Sequence, residues 1–241
     1  ITELVASIRN KQLPGFAKAT GILIIASVFA IATNITNLWA TYEYGKETIR
    51  GKTELTTEKT NRTSGLDKDY ATGWSYGKME TFTLLIPNFK GGSSQGALTE
   101  KSNSYKALRA NNVDDVQASK LIKGLPLYWG TQPGVAGPVY IGAIIMFLFI
   151  FALFVVENKF KWWLLAATVL SIMLAWGKNL MPFTDFFLNY VPGYNKFRAV
   201  SMTLVMAELC IPLLAILGLQ KAFSGEVDKK KLIKYLYYSL G

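Results

Sequence analysis

Residues 177–200 read GKNLMPFTDFFLNYVPGYNKFRAV and separate two apolar runs, 162–176 and 200–219. The segment is only long enough to dip into a membrane interface and return, yet it carries several aromatic rings, a carboxylate and three cations. Irregular, charged backbone is tolerated at membrane depth only where protein or a water-filled cavity satisfies its polar groups. We therefore expect residues 177–199 to form a re-entrant or interfacial loop that borders a site on the outer aqueous side.

The composition indicates a membrane protein with one large aqueous segment. Of 241 residues, 51% are hydrophobic and 13% aromatic, and the mean hydropathy is +0.24. This composition is too apolar for an ordinary soluble domain and too charged for a protein that consists of transmembrane helices alone. Histidine is absent and Cys210 is the single cysteine, so a Ser-His-Asp triad, a Cys-His pair, a disulfide framework and a zinc centre are not predicted. Acid–base chemistry would fall to carboxylates.

The formal net charge of +10 is spread between the apolar runs. No basic face typical of nucleic-acid binding is formed, so no nucleic-acid partner is predicted. The flanks 1–18, 157–161 and 220–234 together carry ten cations, whereas residues 177–199 carry three. Because cytoplasmic loops are enriched in Lys and Arg, the first three flanks are assigned to the cytoplasm. A long polar insert and residues 177–199 then share the outer face.

Four apolar runs are candidate transmembrane helices, and an all-α polytopic fold follows from them. The predicted spans are 19–40, 139–156, 162–176 and 200–219. The third is short, because a span needs about 20 residues, and its flanking lysines would have to snorkel. The chain then consists of a cytoplasmic flank and first span at 1–40, an extracytoplasmic insert at 41–138, three spans with the outer loop 177–199 at 139–219, and a cytoplasmic flank with the start of a further helix at 220–241.

The insert, 41–138, is expected to be mostly helical. An apolar residue recurs every three positions between residues 76 and 85, which predicts a helix along the membrane surface. Asn112 and the acids that follow it predict the start of a second helix, which Gly124 ends. The glycine-rich run 91–96 predicts a mobile linker.

Arg198 and Lys196 are the candidate phosphate-binding residues, at the outer end of the last span. An arginine fork binds phosphate through two hydrogen bonds, whereas lysine offers a point charge. With the nearby rings of Tyr190 and Tyr194 they suit a lipid phosphate whose tail runs down the helices. Ordinary anchoring at the membrane interface explains the same pattern equally well.

Two carboxylates complete the set of residues expected to line the site. Asp185 is interpreted chiefly as a salt-bridge partner of Arg198, with an oxygen ligand for a metal as the less common alternative. Glu208 lies near the middle of the last span, where an ionised group costs roughly 2.5–3.5 kcal/mol. We expect it to face the helix bundle, either in an interhelical hydrogen bond or as a proton relay.

Four long phrases carry a resemblance to a known family. They are ATNITNLWATYEYGKETIRGKTELT at 32–56, SGLDKDYATGWSYGKMETFTLLIPNFKGGSS at 64–94, LPLYWGTQPGVAGPVYIGA at 125–143 and GKNLMPFTDFFLNYVPGYNKFRAVSM at 177–202. Through essentially its whole length the chain resembles the YfhO family in its Bacteroidetes-type form. Members are much longer, so the resemblance implies that this chain is an internal excerpt.

The resemblance implies a GT-C type membrane glycosyltransferase of the bacterial cytoplasmic membrane. Such enzymes take sugar from a polyprenyl-phosphate donor at the outer face, and members of the family have been linked to decorating cell-envelope polymers, so the expected acceptor is an envelope glycan. Their acidic base usually lies in the first outer loop, which would precede Ile1, so the catalytic residue is not named. The loop that ends at Arg198 resembles the element that holds the donor phosphate, which makes Arg198 the first candidate and Lys196 the second.

Two other functions stay open on the sequence alone. A transporter or flippase of lipid-linked glycans would use Glu208 as a coupling residue, although no second copy of the 177–199 segment is found, as an inverted repeat would require. A non-catalytic membrane subunit would dock a protein partner on the insert 41–138. The sequence does not identify a cofactor.

Overall fold

The computed structural model describes residues 2–51 and 63–240. Within these residues the regular structure is helical, and the sole β-pairing is an isolated bridge between Gly91 and Tyr128. The all-helical class predicted from the sequence is confirmed. The chain divides into two compact units, Ile1–Thr53 and Glu54–Gly241.

The described residues of the first unit form three helices, α1 (Thr2–Arg9), α2 (Leu13–Thr33) and α3 (Ile35–Lys46). α2 is long and apolar enough to cross a membrane. It begins earlier than the predicted span because Pro14 is accepted in a first helical turn, where its missing N–H would have no helical partner. It ends at Asn34, whose Nδ2 donates to the Ala30 carbonyl oxygen at 3.3 Å. Such local bonds compete with helix continuation.

The insert contributes short helices to the second unit. They are α4 (Lys68–Ala71), a 3₁₀ turn (Met79–Leu84), α5 (Asn103–Ala110) and α6 (Asp115–Ile122). The helix expected between residues 76 and 85 is therefore only a short 3₁₀ turn. α6 is capped by Asp114, whose carboxylate accepts from Val116 N at 3.0 Å, and not by Asn112. The sequence pattern did not predict α5, which Ser102 caps.

The run 91–96 is a packed segment, which corrects the expectation of a mobile linker. Gly92 N donates to Leu127 O and Ser94 N to Val135 O, each at 2.9 Å. Gly91 has a φ of +81°, and a Cβ there would lie 1.9 Å from Leu127 O. Glycine is therefore needed for close approach to residues 127–135 as well as for backbone freedom. This pairing is not visible in local sequence spacing.

The remaining helices are apolar or amphipathic. They are α7 (Ala143–Val155), α8 (Phe160–Ala175), α9 (Met181–Tyr190), α10 (Val205–Phe223) and α11 (Lys229–Leu240), with 3₁₀ turns at Gly177–Leu180, Tyr194–Lys196 and Val200–Leu204. The largest buried cluster comprises Phe149, Ala152, Val156, Leu164, Ala207, Cys210, Ile211, Leu214 and Ala215. It lies where α7, α8 and α10 meet.

Small and polar residues hold these three helices together. Gly218 of α10 lies against α7, where an added Cβ would be 2.5 Å from Ala152 Cβ. Ser171 Oγ donates to Thr203 O at 2.6 Å, and Thr203 Oγ1 donates to Ser171 O at 3.0 Å. Both devices are typical of helix packing in membranes, where close backbone approach and interhelical hydrogen bonds drive association.

Among residues 2–51 and 63–240, two helices are long and apolar enough to cross a membrane, Leu13–Thr33 and Val200–Phe223. A third span is obtained if Phe160–Ala175 and Gly177–Tyr190, which are bent by 110°, count as one. α7 has 13 residues, which at about 1.5 Å per residue is shorter than the roughly 30 Å hydrocarbon core. Four spans are therefore not confirmed in the described residues, while the apolar helices support a membrane protein.

The bend after α8 depends on Gly177. Its φ is +47°, and a Cβ at this position would lie 2.1 Å from Ser75 Oγ. Glycine thus allows both the left-handed backbone and the approach of the insert. α9 leaves α8 at this point, so the segment predicted to be re-entrant or interfacial does change direction sharply.

Candidate functional site

The insert packs directly on the segment 177–199. Tyr76 N donates to Ala175 O at 2.8 Å, and Asn179 Nδ2 donates back to Tyr76 O at 2.8 Å. Ser75 Oγ accepts from Lys178 N at 2.9 Å. These bonds bring residues far apart in sequence to the same end of α8.

Asn195 forms a second connection between the two segments and was not singled out from the sequence. Its side chain is buried, and its Nδ2 donates to Ser64 Oγ at 2.8 Å and to Leu188 O at 3.1 Å. Leu66 N donates to Asn195 O at 2.9 Å. Because every one of these partners is tertiary or in a different helix, no local sequence signal marks this residue.

Arg198 is held by aromatic side chains of the insert. Its guanidinium carbon lies 4.0 Å from the ring centroid of Trp74 and 4.7 Å from that of Tyr70, and Nη1 donates to Tyr70 Oη at 2.9 Å. The side chain is exposed. Among residues 2–51 and 63–240, no carboxylate forms an ion pair with it. Cation–π contacts therefore position a cation that has no ion-pair partner in the part of the chain that the structure describes.

Asp185 pairs with Lys68 and not with Arg198, which corrects the expected salt bridge. The Asp185 Oδ1 to Lys68 Nζ distance is 2.7 Å, and the two side chains are 34% and 19% exposed. α4 brings Lys68 over α9, so the nearest cation comes from the insert. Within the described part of the chain, Asp185 belongs to no group of three acidic or sulfur ligands that could hold a metal.

An apolar groove of about 460 Å³ lies beside Arg198. Its walls include Leu170 and Leu174 of α8 and Val205 and Met206 of α10, and Arg198 belongs to its lining. An apolar channel with one cation in its wall can take a molecule that combines a hydrocarbon chain with an anionic group.

Tyr194 also lines the groove. Its buried hydroxyl has no hydrogen-bond partner within the part of the chain that the structure describes. Burial raises the pKa of this phenol to about 12, so at neutral pH it is a neutral hydroxyl that can donate. A buried donor without a partner is costly to the folded state.

Lys196 and Tyr190 lie outside the lining of this groove. Lys196 Nζ donates to the Ser64 carbonyl oxygen at 2.6 Å, so its ammonium is directed to the insert backbone. Tyr190 is 74% exposed, and its ring centroid is 5.4 Å from that of Phe186 on the same helix. The structure therefore brings Arg198 and Tyr194 to the groove and separates the other two candidates from it.

Glu208 is exposed in the first turn of α10, which corrects the expectation that it faces the bundle. The buried face of this helix includes Ala207, Ile211, Leu214 and Gly218. A residue one position after Ala207 is rotated by about 100° from that face. Neither of the roles predicted for an inward-facing Glu208 is supported by this placement.

Glu80 is a buried carboxylate that the sequence analysis missed. It is 3% exposed and accepts hydrogen bonds from Gly77 N at 2.5 Å and from Tyr128 Oη. Burial, followed by this hydrogen bond to Glu80, raises the pKa of Tyr128 to about 12. Glu80 occupied a polar position in an expected surface helix, and its partners come from the distant segment 128–131.

Comparison with known proteins identifies no relative. No protein-family model matches the sequence, and neither a curated protein nor a solved structure matches it. The chemistry of the groove and its surroundings is therefore the guide to function.

Proposed function

We propose that this chain is part of a YfhO-family, GT-C type membrane glycosyltransferase. It would transfer sugar from a polyprenyl-phosphate donor to a cell-envelope glycan at the outer face of the bacterial cytoplasmic membrane. The observation that carries the proposal is the position of Arg198 in the wall of the apolar groove of about 460 Å³.

The groove combines the two properties that a polyprenyl phosphate requires. Its apolar walls suit an isoprenoid chain, and the guanidinium supplies a fixed positive charge for the phosphate. One N–H of Arg198 donates to Tyr70 Oη, and the other N–H groups fit phosphate oxygens in the usual fork geometry.

The transfer needs a base and a stabilised leaving group. A carboxylate removes the proton from an acceptor hydroxyl, whose oxygen attacks the anomeric carbon of the sugar. The bond from that carbon to the phosphate oxygen breaks, and the electron pair leaves with the phosphate. Arg198 would stabilise the charge that develops there, while the GT-C resemblance assigns the base to a different loop.

Full-length protein in liposomes with a radiolabelled polyprenyl-phosphate sugar tests this proposal. We expect release of polyprenyl phosphate, reduced by about 100-fold or more in Arg198→Ala, the scale seen when one transition-state donor is lost. Arg198→Lys keeps the charge without the fork and should recover part of the rate. Lys196→Ala is the matched control and should retain most of it, since Lys196 does not line the groove.

Two results would contradict the proposal. Movement of the sugar-lipid across the bilayer without cleavage would assign the groove to a flippase. Equal rates of cleavage by wild type and Arg198→Ala would show that Arg198 does not take part in the reaction.

A further inference from the structure

We propose that the insert carries a separate carbohydrate-binding pocket, built around Trp129 and Glu80, that takes the neutral glycan acceptor. The acceptor role rests on the proposed function, whereas the binding of an oligosaccharide is a property that can be measured independently.

Trp129 is an unusually exposed aromatic residue at the edge of a polar cavity. The side chain is 77% exposed and borders a cavity of about 350 Å³. The polar residues of that cavity are Lys78, Glu80, Lys90, Thr131 and Asn179. A flat indole face beside hydrogen-bonding groups matches a sugar ring, which presents C–H groups on its face and hydroxyls at its edge.

The local backbone holds Trp129 in place before a ligand arrives. Trp129 N donates to Lys90 O at 2.8 Å. A Cβ at Gly91 would lie 2.2 Å from Trp129 Cδ1, so the indole rests directly on a glycine that also has a positive φ. A ring that is already positioned loses little conformational freedom on binding, which favours affinity.

Glu80 supplies hydrogen-bond acceptors at the base of this pocket. Its carboxylate accepts from Gly77 N, Tyr128 Oη and, at 3.4 Å, Thr131 Oγ1. A carboxylate has about four acceptor positions, so it can also accept from a ligand hydroxyl. A Cβ at Gly130 would lie 2.0 Å from Tyr128 Oη and 2.3 Å from Glu80 Oε1, so glycine is required for the backbone to pack this closely against the carboxylate and its partner.

The cavity offers both donors and acceptors of hydrogen bonds, as a hydroxylated ligand requires. Lys78 and Lys90 can donate to hydroxyl oxygens, and the Glu80 carboxylate can accept from hydroxyl groups. Glu80 and Lys90 also line a second cavity of about 210 Å³ together with Gln132. Hydroxyl groups both donate and accept, so they can use the carboxylate, ammonium and amide groups at once.

The second cavity also places this pocket beside the groove of the proposed donor. Met202 belongs to the lining of both the 210 Å³ cavity and the 460 Å³ groove. The second cavity, which Glu80 also lines, therefore adjoins the proposed donor groove at Met202.

Isothermal titration of the full chain, in a detergent without a sugar headgroup, tests the pocket. The probes are maltohexaose, cellohexaose and chitohexaose, each titrated alone. We expect saturable binding of at least one, with affinity reduced by about tenfold or more in Trp129→Ala and partly retained in Trp129→Phe. Trp163→Ala is the matched control, because this indole is also exposed, at 57%, but lies on α8.

Failure of all three oligosaccharides to saturate wild type would overturn the proposal, as would equal binding by wild type and Trp129→Ala. Membrane anchoring is the competing role of Trp129. If brominated-lipid vesicles quench the fluorescence of wild type more strongly than that of Trp129→Phe, the Trp129 indole contacts lipid. That result would also overturn the proposal. Arg198→Ala should bind the oligosaccharide normally, so failure of the donor reaction is distinguished from failure of this pocket.

Discussion

The guanidinium carbon of Arg198 lies 4.0 Å from the ring centroid of Trp74. This contact joins the loop after α9 to the insert and holds the cation in the wall of the groove. Trp74 Nε1 donates to Gly134 O at 3.1 Å, so the indole is itself oriented by the insert. The position of Arg198 therefore depends on a residue that is distant in sequence.

Replacing Trp74 tests this dependence. Trp74→Leu should lower the free energy of unfolding by about 1 kcal/mol or more, because it removes the cation–π contact. Trp74→Phe keeps an aromatic face, but both variants lose the hydrogen bond to Gly134 O. The difference between their free energies of unfolding therefore measures the contribution of the aromatic ring. The measurement is denaturation by sodium dodecyl sulfate in mixed micelles, followed by circular dichroism.

The same pair of substitutions in an Arg198→Met background is the control for that experiment. If the ring stabilises the fold through its contact with the guanidinium, the difference in free energy of unfolding between Trp74→Leu and Trp74→Phe should be smaller in the Arg198→Met background. An unchanged difference would show that Trp74 stabilises the fold only by packing.

Close packing of α7 and α10 predicts that Gly218→Ala is destabilising. The new Cβ would meet Ala152 Cβ at 2.5 Å, so the helices must separate, at a cost of about 1–3 kcal/mol. Gly21→Ala in α2 is the matched control, since its Cβ meets nothing within 4 Å, and it should be neutral or stabilising. Unfolding in micelles measures both, and equal effects would contradict the packing argument.

The Lys68–Asp185 ion pair predicts a loss of stability in Asp185→Asn. The pair is partly buried, with side chains 19% and 34% exposed, so a loss of about 1 kcal/mol is expected after allowance for solvent screening. Glu43→Gln disrupts the Lys46–Glu43 pair, whose side chains are 50% and 55% exposed, and should cost about 0.5 kcal/mol or less. A larger loss in Glu43→Gln than in Asp185→Asn would contradict this ranking.

The buried hydroxyl of Tyr194 predicts a pH effect at alkaline pH. The phenol has a pKa of about 12 in the folded chain and about 10 when unfolded, so the folded state keeps a proton that the unfolded state loses between these values. This difference in protonation leaves the free energy of unfolding unchanged below about pH 10 and lowers it as the pH rises from about 10 to about 12. Tyr194→Phe should therefore lose less stability than wild type as the pH rises through this range.

At neutral pH the same variant should be neutral or more stable by about 1 kcal/mol, because it removes a buried donor without a partner in the described residues. Ultraviolet absorbance of the phenolate during unfolding measures the titration. Destabilisation by Tyr194→Phe at neutral pH would show that the hydroxyl has a partner after all.

Local pattern and composition were sufficient to predict the helical class and the positions of the apolar runs. They predicted the lengths of the resulting helices less well. The span at 200–219 corresponds closely to the helical stretch Val200–Phe223. The run 139–156 became a helix of only 13 residues, because Gly142 and the extended Val156 bound it. Hydropathy does not report such backbone breaks.

The candidate site was recovered unevenly for a related reason. Arg198 could be selected because a cation among aromatic residues beside an apolar run has a recognisable composition. Asp185 and Glu208 were placed incorrectly, since their surroundings depend on Lys68 from the insert and on which face of α10 is buried. Glu80 and Asn195 gave no signal, because the side chains of Tyr128 and Ser64 that bind them come from distant segments.

The sequence by itself determined that the chain is helical, rich in apolar runs and marked by a charged aromatic segment at 177–199, because these properties follow from residue type and spacing. Only the tertiary structure decided which cation lines a groove and which carboxylate is buried. Those outcomes depend on contacts between the insert and the segment after α8, and such contacts are set by packing and hydrogen bonds between residues that the chain separates widely.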